Sequence, residues 1–248
     1  MKNEINFKKQ FYSYYLDGYN GWMMNIKSSH KYRFKWAFYN MLKYKKNINN
    51  SLEIACASGD FTDFLIKHCH SILELNCIDI CQTAIDICKE RIKCSNVNFQ
   101  VEGLPNLNFE SDYFNSIWCM DVIYYLDIKQ RYESVREINR ILDKDGIALF
   151  MIPYNIRDCS SVRRCVSKYM IIIDEKYNYN RLWGDFTVYL EKKYKKYKKK
   201  KGIFWLLLSK ICIRLMKSML LMNIIHGINS IFFKNRISHY MIIAKKNY

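Results

Sequence analysis

The residues whose types and spacing could do chemistry are concentrated in one stretch, Ser51 to Asp79. It opens Ser-Leu-Glu-Ile-Ala-Cys-Ala-Ser-Gly-Asp-Phe-Thr and closes Leu-Asn-Cys-Ile-Asp. Ala55, Ala57 and Gly59 keep the turn after a short apolar run small, so a ligand can approach the backbone closely. The N–H groups of such a turn, and of the helix start behind it, can hold an anionic or polar group. Asp79 can accept hydrogen bonds from both hydroxyls of a ribose. Glu53 puts a carboxylate beside the turn, which repels a pyrophosphate and suits a ligand bearing an ammonium. No third glycine stands in register, whereas a dinucleotide site asks for Gly-x-Gly-x-x-Gly because a pyrophosphate needs bare backbone. The chemistry indicated is binding of a nucleoside whose other end is cationic or zwitterionic. An ordinary tight strand-to-helix turn would use the same small residues, so the surrounding elements must decide.

Leu52 to Ala55 read as a buried strand. Phe61, Phe64, Leu65 and His68 recur at helical spacing, and Ile72 to Ile78 form a second apolar run. Thr83 to Lys93 read as a helix with Ala84, Ile85, Ile87, Cys88 and Ile92 inward. Val97 to Val101 form a third strand, Ser116 to Val122 a fourth and Ile147 to Ile152 a fifth. A helix over Arg131–Leu142 and a turn over Asp143–Gly146 separate the last two. Strands alternating with helices predict a parallel sheet whose ligand lies at the carboxyl ends of its strands. That edge brings in Cys119, Asp121, Tyr124 and Tyr125. Asp121, Tyr124 and Tyr125, with Tyr154 and His30, are the candidate proton acceptors. None stands in a diagnostic constellation, and packing or pocket-shaping roles compete with catalysis for each.

The run Ser51–Tyr154 resembles class I S-adenosylmethionine-dependent methyltransferases. Leu-Glu-Ile-Ala-Cys-Ala-Ser-Gly-Asp-Phe-Thr resembles their first motif, and Asp112–Ile117 their acidic-aromatic lead-in to strand four. Ile-Leu-Asp-Lys-Asp-Gly-Ile-Ala-Leu-Phe-Met-Ile-Pro resembles their helix–turn–strand. The first of these and Asp-Val-Ile-Tyr-Tyr-Leu (Asp121–Leu126) are similar to the nodulation protein S-like group, which N-methylates an amino sugar of a chitin-like oligosaccharide. The resemblance implies a Rossmann-like α/β fold. This has a seven-stranded, mostly parallel sheet, helices on both faces and a helical insertion before the last strand. It implies S-adenosylmethionine as cofactor, with Glu53 at the methionine amino end, Ala55, Ala57 and Gly59 in the turn, and Asp79 on the ribose. Ile80, Glu102, Gly103, Leu104 and Cys119 complete the expected cofactor site. Where many members carry an adenine-binding Asp, this chain has Gly103, with Glu102 one residue early. The acceptor implied is a small molecule or glycan.

At 248 residues the chain is long enough for one α/β domain with insertions. The net charge of +17 is unevenly placed: residues 1–50 carry 10 basic and 2 acidic side chains, 51–154 carry 9 and 16, and 155–248 carry 21 and 5. Any polyanion contact therefore belongs to the ends. The expected organisation is a helical cap over 1–50, the cofactor core over 51–154, a basic helical insertion over 155–236 and a final strand over 237–248. Tyr169–Ile173 and Phe186–Leu190 both qualify as strand six. Lys192–Lys201 holds eight lysines in ten residues and reads as a solvated segment. Ile203–Phe233 is apolar but punctuated by Lys210, Arg214 and Lys217. It suits either a cap helix packed on the core or, with 192–201, peripheral contact with an anionic membrane. No apolar run is long enough to span a bilayer. The ten cysteines contain no Cys-x-x-Cys pair, and His68-Cys69-His70 lacks a second ligand pair, so thiols rather than a metal are expected. No signal peptide is evident, and a cytoplasmic location, if need be on the inner membrane surface, follows. Two other readings stand beside the enzyme: a basic binding protein that keeps the fold without catalysis, and nucleic-acid methylation. Against the latter, Asp121-Val122-Ile123-Tyr124 stands where an Asn/Asp-Pro-Pro-Tyr/Phe tetrapeptide would be needed.

Overall fold

The computed structural model describes Tyr15 and residues 27–154, 159–232 and 237–247. The part of the expected 1–50 cap that precedes residue 27 lies, apart from Tyr15, outside the described residues. The elements are α1 (Ser28–Leu42), β1 (Asn50–Ile54), α2 (Asp60–His68), β2 (Glu74–Asp79), α3 (Gln82–Arg91), β3 (Val97–Val101) and β4 (Phe114–Met120). A 3-10 turn (Ile123–Tyr125) leads to α4 (Ile128–Ile141), β5 (Leu142–Pro153), α5 (Cys159–Tyr169) and β6 (Met170–Asn178). Then come α6 (Arg181–Lys198), α7 (Ile203–Lys217), α8 (Met219–Phe232) and β7 (His239–Lys246). The chain divides into two compact units. The first is built on Trp36–Lys176 and Tyr240–Tyr248 and includes Tyr15; the second is built on Met23–Lys35 and Tyr177–His239.

The first unit holds a seven-stranded sheet in the order β3-β2-β1-β4-β5-β7-β6. The pairings β2–β3, β1–β2, β1–β4 and β4–β5 are parallel. Central parallel strands are buried on both faces and so read as near-continuous apolar runs. Leu52 and Ile54 of β1, Ile117 and Cys119 of β4, and Ala148 and Phe150 of β5 face one core. Val135, Ile138 and Ile141 of α4 close that core, together with Val162, Cys165 and Val166 of α5. Residues of opposite parity, Trp118, Leu149 and Met151, are also buried and face the other side. There the Trp118 ring meets Phe61 of α2 edge-on at 5.2 Å. The chain turns back between β1 and β4, so their carboxyl ends frame the crevice at the topological switch point.

Several expectations about local structure are refined. Phe186–Leu190 is helical rather than a strand: Trp183, Thr187 and Leu190 are buried at helical spacing, which overrides the β-prone run. Strand six is Met170–Asn178. The solvated lysine run continues the same helix, α6, as far as Lys198. The stretch from Ile203 splits into α7 and α8 at Ser218, whose Oγ accepts the Leu221 N–H at 3.2 Å and caps the second helix. Asp143–Gly146 is taken up as a bulge inside β5, since Phe114 pairs with Leu142 but Ser116 with Ile147.

The second unit packs Leu190 of α6 against Cys212 and Met216 of α7. Trp183 Nε1 donates to Ser28 Oγ at 2.9 Å, and Lys27 pairs with Glu191 at 2.5 Å. No helix among the described residues is long and apolar enough to cross a membrane.

Helix α4, which closes the core beneath the switch point, begins with a reciprocal cap. Asp127 Oδ1 accepts the Gln130 N–H at 2.9 Å, and Gln130 Oε1 accepts the Asp127 N–H at 3.2 Å. Asp127→Ala removes the first bond and loosens the second. It is expected to lower unfolding free energy by about 1 kcal/mol, read as a shift in the urea midpoint at unchanged slope.

Candidate functional site

The turn between β1 and α2 is built on three consecutive odd positions with left-handed backbone: Ala55 (φ 61°), Ala57 (φ 51°) and Gly59 (φ 76°). Left-handed φ is costly for a residue with a Cβ, and alanine is the smallest that has one. At Gly59 a side chain would be strained by the left-handed φ and would crowd its neighbours. A Cβ there would lie 2.9 Å from Ile92 Cδ1 and 3.0 Å from Cys88 Sγ.

The strained turn is held from several sides. Asp79, at the end of β2, accepts the Ala57 N–H on Oδ2 at 3.0 Å and the Cys81 N–H on Oδ1 at 2.9 Å. Cys88 Sγ donates to the Ala57 carbonyl at 3.1 Å. Arg91 Nη1 donates to the Ser58 carbonyl, and its Nη2 lies 3.3 Å from Asp60 Oδ1. The Cys56 N–H bonds the Ile78 carbonyl and the Gly59 N–H the Cys56 carbonyl. Three of the amides expected to be open to an anion are thus used inside the turn, so it offers fewer donors than the sequence suggests.

The electrostatics favour a cationic ligand. Glu53 is buried, and its Oε2 accepts Thr62 Oγ1 at 2.6 Å with Cys77 Sγ also in reach. Burial pushes its carboxyl up to about 8, with Asp60 and Asp79 adding repulsion against the bonds from Thr62 and Cys77. Burial also raises Asp79, against the two backbone bonds that stabilise its charge. Asp60 and Asp79 beside the turn disfavour a phosphate, and Glu53 can ionise to meet an incoming ammonium or sulfonium. A carboxylate offers about four acceptor positions, so Asp79 retains capacity for ribose hydroxyls after its two amide bonds.

Farther along the edge, Gly103 has a packing reason. A Cβ there would come within 2.3 Å of Ile80 Cγ2. Ile80 therefore occupies the space that an Asp at 103 would need, and the two positions belong together. Glu102 Oε1 accepts the Asn108 N–H, which ties its carboxylate to the loop, and Leu104 packs against the core below the sheet edge. Cys119 is fully buried in that core, where burial first and Asp121 second raise its thiol pKa.

Asp121 follows β4 in a left-handed conformation, φ 56°, and its N–H donates to the Met151 carbonyl at 2.9 Å. The Tyr124 and Tyr125 rings lie with centroids 4.4 Å apart. Arg131 organises this turn by donating to the Leu126 and Tyr124 carbonyls at 2.9 and 3.0 Å and to Ser161 Oγ at 3.0 Å. Tyr154 is exposed at the end of β5. His30 lies in the second unit, where its Nδ1 is 3.0 Å from Arg33 Nη2, and Arg33 Nη1 reaches His239 Nε2 at the same distance.

Sequence reasoning missed three contributors. Arg91 and Cys88 lie at helical spacing on α3 but gave no sign that they would hold the turn. Tyr15 falls in the 1–50 stretch, which reads only as a helical cap. Its buried ring packs with Cys81 and Ala84 and against Ala57, the turn residue whose N–H binds Asp79. Burial and then Asp79 push its phenol pKa up.

Two stability measurements check this account. Ala55→Gly relieves left-handed strain while adding freedom to the unfolded chain. It is expected to leave unfolding free energy unchanged or raise it by up to about 1 kcal/mol, where an alanine in ordinary backbone would lose about that amount. Glu53 has an ordinary value of 4.5 and a folded value of about 8. Between these the unfolded chain gives up the proton and the folded chain keeps it. Its contribution to stability is therefore full below about pH 4.5 and falls as pH rises towards about 8, by at most about 1.4 kcal/mol per pH unit. Glu53→Gln is expected to flatten that decline in urea titrations across the range.

Comparison with known proteins agrees with the geometry. Residues 52–146 match a family model described as a methyltransferase domain. Nodulation protein S of Rhizobium tropici is 33% identical over 105 residues, 42% of this chain and 42% of that protein. The ubiquinone/menaquinone biosynthesis C-methyltransferase UbiE of Campylobacter jejuni is 29% identical over 116 residues, 45% of this chain and 47% of that protein. The chain thus spans under half the length of these curated relatives in the matched region. The solved N-methyltransferase NodS of Bradyrhizobium japonicum, in complex with S-adenosylhomocysteine, superposes with a TM-score of 0.60 at 16% identity. That superposition covers 92% of this chain and 93% of that one, a likeness of fold. With the strand order, the small-residue turn and its closing acid in place, the chain has the Rossmann-like fold of the class I S-adenosylmethionine-dependent methyltransferases, and its residues 52–146 are similar to a methyltransferase domain.

Proposed function

We propose that this chain moves a methyl group from S-adenosylmethionine to a nitrogen or oxygen atom of a small-molecule or glycan acceptor, with an amino sugar the favoured class. The observation that carries the reading is the acidic, left-handed turn at Ala55–Gly59 closed by Asp79. Its carboxyl groups match the ammonium and sulfonium charges of this cofactor, and its small residues admit the ligand to the backbone.

The cofactor supplies an already activated methyl group, so the protein's task is chiefly proximity and in-line orientation. In this reading Asp79 binds the ribose hydroxyls, and Glu53 meets the methionine ammonium, giving up its proton as it does so. Ile80 and Leu104 offer apolar contact to the adenine. Asp121, and Tyr124 and Tyr125 on the turn that Arg131 holds, lie beside the transferred group. An amine acceptor must attack as the neutral base, and a hydroxyl must lose its proton to a neighbouring group. Asp121 is the first residue to test in that role, and the paired tyrosine rings shape the acceptor pocket. One relative is called an N-methyltransferase and another a C-methyltransferase, so likeness alone does not choose the acceptor atom.

Calorimetric titration with S-adenosylhomocysteine tests the cofactor site. The full chain is expected to bind in the micromolar range. Asp79→Asn, which keeps one acceptor oxygen for the turn, is expected to bind roughly ten- to a hundredfold more weakly at unchanged circular dichroism. A folded wild-type chain that does not bind would transfer the weight to a binding protein without catalysis.

A further inference from the structure

The second unit carries apolar faces that its own core does not cover. In α7 the buried positions are Ser209, Cys212 and Met216. The opposite side presents Ile203, Phe204, Leu207 and Ile211, and Ile203 is 78% exposed. Lys210, Arg214 and Lys217 are exposed along the flank of this strip at i, i+4 and i+7. In α8 a second strip, Leu220, Ile224, Ile228 and Ile231, follows the same helical spacing, and Leu220 is 73% exposed. Single exposed aliphatics need no explanation, but two strips on successive helices do.

The charge around them is of one sign. From Lys192 to Phe233 the sequence has eleven lysines and arginines and no acidic residue. At the entry to α7 the Lys200 ammonium lies 3.7 Å from the centroid of the Trp205 ring. Exposed cations flanking an aliphatic strip are the composition that settles at a lipid headgroup boundary, where long cationic side chains keep their charge in water. A nucleic acid would use the cations but would stack on aromatic faces, leaving the Ile and Leu strips uncovered. A second copy of the chain would cover the strips but would bring two strongly basic segments together.

We propose that α7 and α8 dock this protein on an anionic membrane surface, with the aliphatic strips at the acyl boundary and the 192–217 cations on acidic headgroups. The helices lie on the surface and do not span it. The proposal does not depend on the methyl-transfer reading, because its readout is lipid binding alone.

The test is flotation of the full chain with vesicles of phosphatidylcholine, and with vesicles of phosphatidylcholine and phosphatidylglycerol. Binding is expected to be at least tenfold stronger to the anionic vesicles, and each cation removed at Lys210 or Arg214 is expected to lower it by about fivefold. Leu207→Glu and Ile211→Glu, at exposed sites, are expected to lower it at least about tenfold at moderate salt. Unchanged thermal midpoints and unchanged circular dichroism would show both variants folded. Failure to float with anionic vesicles at low salt would overturn the proposal. So would binding that salt abolishes and the Glu variants leave intact, which marks a purely electrostatic contact. A concentration-dependent dimer in sedimentation that the Glu variants dissolve, with no lipid binding, would assign the strips to a second copy instead.

Discussion

The bond on which the site depends is the one from the Ala57 N–H to Asp79. The turn it closes holds two alanines in left-handed backbone, which L-residues resist by about 1 to 2 kcal/mol each. Such a conformation persists only where its surroundings over-determine it. Here Asp79 takes the Ala57 and Cys81 amides, Cys88 and Arg91 take the Ala57 and Ser58 carbonyls, and the backbone of β2 takes the Cys56 amide. Asp79 therefore acts twice. It fixes the strand-to-helix turn as a structural acceptor, and it presents its remaining acceptor capacity at the carboxyl edge of β2, where a ribose would lie. A carboxylate is the side chain that can do both, because each oxygen accepts more than one hydrogen bond.

The same constraint explains the acidity of the site. Glu53 sits under the turn and is held by Thr62 from the first turn of α2. It is neutral near pH 7 in the absence of a partner, because burial and two neighbouring carboxyls outweigh that bond. A buried acid that is ready to ionise when a cation arrives is a poor neighbour for phosphate and a good one for a zwitterion. Fold alone would not make that distinction, since open α/β sheets bind many nucleotides at this edge.

Much of this was legible in the sequence because it rests on short-range pattern. The alternation of strands and helices from Leu52 to Ile152, the small residues at 55, 57 and 59, and the acid at 79 are all local signals. What the sequence withheld depends on contacts across the fold. Gly103 reads as a missing acid until Ile80 is seen against its Cα. Arg91 and Cys88 are ordinary helix residues until their side chains reach the turn. Tyr15 is one aromatic among many until its ring is found on Ala57 and Cys81. Phe186–Leu190 misleads for the opposite reason: its β-prone residues suggest a strand, yet burial of Trp183, Thr187 and Leu190 makes the segment a helix. Propensity loses there to packing.

Charge divides the chain in a way that composition averaged over the whole conceals. The segment with the cofactor-type turn carries more acids than bases, whereas 155–248 carries 21 bases against 5 acids. An excess of lysine raised by drift in base composition would fall on all exposed surfaces alike, and the core segment did not follow it. In α7 the cations recur at Lys210, Arg214 and Lys217 along one edge of the Ile203–Leu207–Ile211 strip, while Ser209, Cys212 and Met216 point inward. Periodicity of that kind orders apolar and cationic side chains around one helix, which a uniform bias does not do. The acidic turn and the basic helices thus answer to different ligands, one carrying positive charge and the other negative.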